Sequence, residues 1–200
     1  MKTHQYFVIH KPFNVLSQFT SQEEGKKTLK DFFEVPIDIY PVGRLDYDSE
    51  GLLILTNDKK LNHHLLDPSF MHEREYWAQV EGPINKTAIA KLEDGVEISI
   101  DGKKFKTRPC GAAIFQNEPT VSERNPPIRY RKNIPTSWAK LVLMEGKNRQ
   151  ARKMLANVGF PVLRLIRFRI ENITLDGLAP GEMRMMEENE MYRLLAIKGK

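Results

Sequence analysis

Short apolar runs, each closed by Pro, Gly, Asn or Asp, recur along the chain and predict strands. YFVIHKP, at residues 6–12, ends in proline and predicts a strand, with VLSQF at 15–19 as a second. EEGKKTLKDFFE reads as a surface loop leading into a short helix. LLILT at 52–56 fits a buried strand, and a turn-rich acidic segment precedes it. Asn57 or Asp58 can cap a helix through Leu65, with Leu61 and Leu65 spaced i, i+4. REYWAQVEG alternates as a strand, and Asn85 caps a helix predicted to Leu92. VEISIDGKKFKTRPCGAAIF predicts a hairpin turning at Asp101-Gly102, a type I′ signature. QNEPTVSERNPPIRYRKNIPTSW carries four prolines and reads as a loop or arm.

The clearest helix is NRQARKMLANVGF. Ala151, Met154, Leu155 and Val158 fall at i, i+3, i+4 and i+7 and form its apolar stripe. Arg149, Arg152 and Lys153 project from other positions as a basic face. Gly159 and Pro161 supply the stop. WAKLVLMEG and PVLRLIRFRI flank this helix as strands. GEMRMM is a further short strand, and MYRLLAI closes the chain as a helix or strand. Many strands, few helices and no regular βαβ alternation indicate an α+β fold.

Composition narrows the class. The chain has 200 residues, 40% hydrophobic and 28% charged, enough for a packed core in one large domain or two small lobes. The lone Cys110 excludes an internal disulfide framework and a Cys-based zinc site. The first residues hold no long apolar h-region, and no apolar run nears the roughly 20 residues of a membrane span. A cytoplasmic protein that engages no membrane is expected. Net charge is +5, but unevenly spread. Residues 1–100 hold 11 basic and 16 acidic side chains, net −5, and residues 101–200 hold 20 and 10, net +10. The basic half suggests a polyanionic partner; the bland alternative is an uneven solvated surface.

Several residues could carry chemistry. Asp46, in Gly-Arg-Leu-Asp ahead of a buried strand, could be a nucleophile, a general base or a metal ligand, or simply hold a turn, which spacing alone favours. Asp46 and Asp48 would share one face if they lay on a strand, as a glycosidase-like or metal pair would need. His63 and His64 have no carboxylate spaced to complete a metal site and read as helix surface or core. Tyr76, in an alternating strand beside Trp77, reads as core packing. Residues 144–170 hold Lys147, Arg149, Arg152, Lys153, Arg164, Arg167 and Arg169 against the single acid Glu145. Arginines punctuating an apolar strand would set several guanidiniums on one sheet face, which phosphates or buried carboxylates must balance.

These segments together resemble the pseudouridine synthases that make single-site changes in ribosomal RNA. GRLDYDSEGLLILTND is similar to the family's catalytic motif, with its aspartate at Asp46. EGKNRQARKMLANVGFPVLRLIR is similar to its C-terminal motif, and HKPFNVLSQFT to its opening strand pair. The matches run from about residue 6 to about residue 185. Two departures stand out. The resemblance to catalytic sequence begins almost at Met1, so the small ribosomal-protein-like RNA-binding domain that often precedes the catalytic domain is expected to be missing, and the usual threonine near the catalytic aspartate is Ser49. The chain therefore resembles a shorter branch that acts on large-subunit (23S) rRNA, and the NPPIRYRKNIPTSW arm is similar to that branch too.

The resemblance implies one catalytic domain over residues 1–200, of two lobes around a central cleft, with a mainly antiparallel bisecting sheet and flanking helices. Pseudouridine formation moves the ribose bond from a uracil nitrogen to a ring carbon. No atoms are gained and no electrons exchanged, so no cofactor and no metal are expected. A carboxylate suits the roles of nucleophile or sugar-cation stabiliser. By resemblance, Asp46 takes that role. Arg152 keeps it ionised, and Tyr76 stacks on the flipped base and helps remove its ring proton. Arg44 resembles the residue that fills the RNA stack, and Arg167 supports the pocket or a phosphate. Extruding the base costs a few kcal/mol. Phosphate contacts from Lys147, Arg149 and Lys153, with Arg129, Arg131 and Lys132 from the arm, would offset this. The expected partner is ribosomal RNA, free or in a precursor particle, met by a monomer. The alternatives are a non-catalytic RNA-binding assembly protein, a small-subunit rRNA pseudouridine synthase, and a glycoside or nucleotide hydrolase using Asp46 and Asp48.

Overall fold

Two runs with no exposed position organise the first half of the chain. β1 (Tyr6–Lys11) is buried at all six positions. Strands covered on both faces read as continuous apolar runs rather than alternating ones, and the sequence YFVI obeys that rule. In the computed structural model, which describes residues 3–21, 23–128 and 134–197, β2 (Val15–Leu16) and β3 (Lys27–Thr28) follow as a short parallel pair. β4 (Tyr40–Pro41) leads into β5 (Glu50–Thr56), the second run, buried at all seven positions. α1 (Lys59–Leu66) comes next.

The middle of the chain forms β6 (Arg74–Glu81), α2 (Lys86–Glu93), β7 (Glu97–Ile100), β8 (Lys103–Lys106), β9 (Gly111–Ile114), β10 (Thr136–Leu143) and α3 (Gln150–Asn157). β11 (Val162–Ile170), β12 (Ile173–Thr174), β13 (Met183–Met186) and α4 (Glu188–Leu194) complete it. The fold is α+β. It divides into two compact units, one running to His72 and resuming at Arg167, the other spanning Glu73–Ile166. The boundary falls within β11.

In the first unit β1 lies between β13 and β5, antiparallel to both, in a register from Tyr6↔Thr56 to Lys11↔Gly51. β4 joins β5 antiparallel. Phe7, Ile9, Val15, Leu29, Phe33, Ile39, Leu53 and Leu55 form a core there. The helix expected within EEGKKTLKDFFE is only one 3-10 turn, Leu29–Asp31. Asp31 Oδ2 accepts from both the Thr28 amide and the Thr28 hydroxyl, which closes the segment into a turn.

In the second unit β10 pairs antiparallel with β6 and β9. The β7–β8 hairpin turns at Asp101 (φ 49°) and Gly102 (φ 77°), the two left-handed residues that its Asp-Gly sequence predicts. The apolar stripe of α3 goes into this unit's core, where Ala151, Met154 and Leu155 meet Leu92, Ile98 and Leu141.

Asp58 ties three elements of the first unit together. Its Oδ1 caps α1 by accepting from the Lys60 and Leu61 amides at 2.9 and 3.2 Å. Its Oδ2 accepts from the Tyr6 hydroxyl of β1 at 2.9 Å and the Tyr192 hydroxyl of α4 at 2.6 Å. Burial opposes this carboxylate, but the donors from Tyr192, Leu61, Tyr6 and Lys60 outweigh it and hold the group below its ordinary range. The same contacts push the two phenols up, after burial itself as the larger cause. The first four residues of MYRLLAI are thus helical, as the end of α4, and its last three lie beyond the helix; Tyr192 ties the segment to Asp58. Among the described residues, no helix is long and apolar enough to cross a membrane.

Candidate functional site

The first unit holds Arg44, Asp46 and Arg167. Asp46 opens a tight turn, with the Ser49 amide donating to its carbonyl at 3.0 Å. The preceding residue is clamped from the other side. Ser17 Oγ donates to the Leu45 carbonyl at 2.8 Å and accepts from the Leu45 amide at 3.0 Å. The backbone is thus fixed on both sides of Asp46, whose side chain is half-buried, as the positioning of a reacting group requires. Asp46 and Asp48 lie in this turn and not on a strand, so the strand pair considered for a hydrolase does not form. Arg44 is exposed, and Ser49 and Glu50 are buried.

Lys11 was not among the sequence candidates. It is fully buried, and its Nζ donates to the carbonyls of Pro12 at 2.9 Å and Val15 at 2.8 Å. Burial pulls its ammonium down to about 7, and Arg167 pulls the same way; the carboxylates of Glu50, Asp48 and Asp46 pull it back up. A lysine closing an otherwise apolar buried strand was the signal in the sequence. Arg167 is buried as well, with Nε donating to the Leu52 carbonyl at 2.8 Å and Nη2 making no hydrogen bond among the described residues.

The second unit holds Tyr76, Lys147, Arg149, Arg152 and Lys153. Tyr76 sits on β6 opposite Leu141, half-buried and packed against the unit's core. The loop before α3 is built on buried Gln150. Its Nε2 donates to Glu145 Oε1 at 2.6 Å, and its Oε1 accepts from the Lys147 amide at 3.0 Å. Glu145 Oε1 also accepts from the Arg108 amide at 3.0 Å. Arg149 then enters α3 in the left-handed region at φ 53°. Lys147 and Arg149 are exposed; Arg152 and Lys153 are half-buried, with Arg152 Nη1 donating to the Val162 carbonyl at 3.4 Å. Arg129, Arg131 and Lys132 lie outside the described residues.

The strand arginines do not line one sheet face. Strand side chains alternate, so Arg164 faces oppositely to Arg167 and Arg169. Each donates to a backbone carbonyl: Arg164 to Ser122 at 2.8 Å, Arg167 to Leu52, and Arg169 to Glu171 at 2.5 Å. Loop and strand carbonyls thus take at least one donor from each of these guanidiniums. His64 is not an isolated helix residue either, because its Nδ1 lies 2.8 Å from His72 Nε2, and His72 Nδ1 lies 2.8 Å from Glu171 Oε1. Glu171 stands 99 residues from His72, a separation no local motif reveals. No cluster suited to a metal ion occurs among the described residues. Burial, with Glu93 and Glu145 adding to it, pushes the Cys110 thiol up to about 11, so no thiolate nucleophile is available at neutral pH.

The Lys11 arrangement predicts a pH signature. Below pH 7 the lysine is protonated both folded and unfolded, and its burial is a full cost. Between about 7 and its ordinary 10.5 the folded form sheds a proton that the unfolded form keeps, so stability rises with pH. Relative to Lys11→Met, the wild type should gain about 2 kcal/mol between pH 7 and pH 9. Urea unfolding of both proteins at several pH values measures it. A constant difference would mean that Lys11 stays charged throughout.

Comparison with known proteins adds an independent line. The profile of the RNA pseudouridylate synthase family matches residues 5–157. "Ribosomal large subunit pseudouridine synthase E" of Vibrio parahaemolyticus is 43% identical over 187 residues, covering 94% of this chain and 76% of the relative. The Vibrio vulnificus protein of the same name is 46% identical over 175 residues, covering 88% and 72%. Among solved structures, "Crystal structure of pseudouridylate synthase" superposes with a TM-score of 0.77 at 26% identity, covering 97% of this chain and 75% of the other.

Proposed function

Since the chain belongs to the RNA pseudouridylate synthase family, we propose that it isomerises a uridine of large-subunit (23S) ribosomal RNA to pseudouridine. The large subunit is the target named for relatives that are 43% and 46% identical over most of this chain. Asp46 supplies the carboxylate. The observation that carries this reading is its placement at the head of a turn clamped by Ser17 and Ser49, inside the segment that resembles the catalytic motif. Tyr76 and Arg152 take the roles that the motif resemblance gives them. Arg44, Lys147, Arg149 and Lys153 meet the RNA, the first three from exposed positions. Arg167, being buried, supports the pocket from behind Leu52. The protein acts as a cytoplasmic monomer, on free or assembling RNA.

The reaction breaks the bond from the ribose anomeric carbon to uracil N1. The freed ring turns, C5 bonds to the sugar, and the C5 proton leaves to water while N1 gains one. Composition is conserved, so an ionised nucleophile and a base for the C5 proton suffice.

Unmodified 23S rRNA bearing tritium at uracil C5 tests the proposal. Tritium should pass to water, with the modified position then mapped by sequencing. Free uracil in solution would indicate a hydrolase instead. Tight binding without release, both from naked RNA and from precursor large subunits, would indicate an assembly protein. Release from small-subunit rRNA alone would move the target to the other subunit.

A further inference from the structure

The first unit carries a second arrangement that the isomerisation chemistry does not use. Phe70, in the 3-10 turn Pro68–Phe70 that follows α1, stacks on the His64 imidazole with centroids 3.7 Å apart and planes 17° from parallel. His64 is held in turn. Its Nδ1 hydrogen-bonds His72 Nε2, and buried His72 reaches Glu171 through Nδ1, both at 2.8 Å. Bonded at both ring nitrogens, His72 is fixed in orientation and fixes His64 in turn. Phe70 nevertheless remains 45% exposed, and Leu66 and Met71, which bracket this turn in the chain, are 48% and 50% exposed. Met71 adopts the left-handed region at φ 50°, uncommon for a residue with a long side chain. A relay centred on buried His72 that holds a half-exposed aromatic ring in place contributes little to a core.

Its position points to an occupant. A Cβ added at Gly43 would sit 3.0 Å from Leu66 Cδ2, so the loop carrying Gly43, Arg44 and Asp46 packs against the end of α1, from which the Phe70 turn starts. Lys60, on the first turn of α1 and four residues before His64, shares its helix face and acts on it electrostatically, with the Asp67 carboxylate acting the other way. The patch thus combines a rigid ring, a flanking ammonium and continuity with the Asp46 loop. A nucleobase beside a phosphate matches all three. Each base of an RNA strand carries its own phosphate, so a stacked base brings an anion within reach of Lys60.

We propose that Phe70, backed by the His64–His72–Glu171 relay, is a stacking platform for an unpaired base of the substrate RNA near the flipped uridine, with Lys60 meeting its phosphate. The inference rests on the proposed RNA substrate and extends the binding surface beyond the motif residues. Stacking of this kind tolerates any base, because every base has a π-face. It would stabilise an RNA whose own stack is opened when the target nucleotide leaves.

The probe is a short 5′-fluorescein-labelled oligouridylate, read by anisotropy against the full chain. Phe70→Ala should weaken binding about tenfold or more. Phe70→Trp should bind as wild type and add a tryptophan signal that the RNA quenches, a signature that a merely structural role would not produce. Equal affinity for wild type and Phe70→Ala, or no added quenching in Phe70→Trp, overturns the platform. So does self-association of wild type that Phe70→Ala abolishes with RNA affinity unchanged, which would make the patch a face between copies. The two readings fail separately. Quenching without tritium release leaves the platform and removes the isomerase; release with unchanged Phe70→Ala affinity does the reverse.

Discussion

Asp46→Asn abolishes tritium release, lowering it on the order of 10^4-fold or more, while RNA affinity stays near that of wild type. Asparagine has nearly the same shape as aspartate and also favours turns. The Ser49 amide bonds the backbone carbonyl of residue 46, and Ser17 bonds the backbone of Leu45, so neither contact depends on the carboxylate. The turn therefore survives, and what is lost is a negative charge and a nucleophilic oxygen. A factor of 10^4 corresponds to about 5.5 kcal/mol of transition-state stabilisation, within reach of a nucleophile that acts as one unit with its neighbours. Single-turnover tritium release and filter binding on the same RNA separate the two effects. Residual activity within tenfold of wild type would remove Asp46 from the nucleophile's role. Lost binding with lost activity would show that the asparagine had disturbed the loop.

Gly51→Ala has the largest expected effect on stability. Gly51 stands at φ +115°, where side chains are rarely tolerated. An added Cβ would lie 2.4 Å from the Arg167 carbonyl oxygen and 2.6 Å from the Arg167 nitrogen. Both are backbone atoms, so no rotamer change relieves the clash, and β5 and β11 must part. Strain and lost packing together should cost about 4 kcal/mol or more, a fall of roughly 10 °C in Tm for a chain of this size. The consequence reaches the site. The close approach at Gly51 places Arg167 where its Nε bonds the Leu52 carbonyl, and Lys11 lies opposite Gly51 in the β1–β5 register. Thermal unfolding followed by circular dichroism measures the loss. A Tm within 2 °C of wild type, on the order of 0.5–1 kcal/mol, would show that the two strands can separate freely.

Much of the fold was legible because it is set locally. Asn85 caps α2 at the position that a short polar residue before a periodic apolar stretch predicts, and Asp58, one of the two candidates, caps α1. Asp101-Gly102 turns its hairpin, and the stripe of α3 is buried as its spacing requires. The candidate aspartate was legible for a different reason, since Asp46 was singled out by the long segment around it, and by spacing alone it was only a turn residue. Its turn is real, and the two readings are compatible.

The sequence by itself determined the α+β class, most of the longer strands and helices, and the segments that resemble the family's motifs, because caps, turns and apolar periods act over a few neighbours. Only the tertiary structure decided which distant residues meet. Lys11 reads as the polar end of a strand until packing seals it near three carboxylates. Asp58 reads as a cap until Tyr6 and Tyr192 arrive from opposite ends of the chain. His64 reads as a surface residue until Glu171 completes its relay. In each case a buried polar group must find a partner, since leaving water uncompensated is costly, and the fold brings that partner from a distance no local pattern encodes.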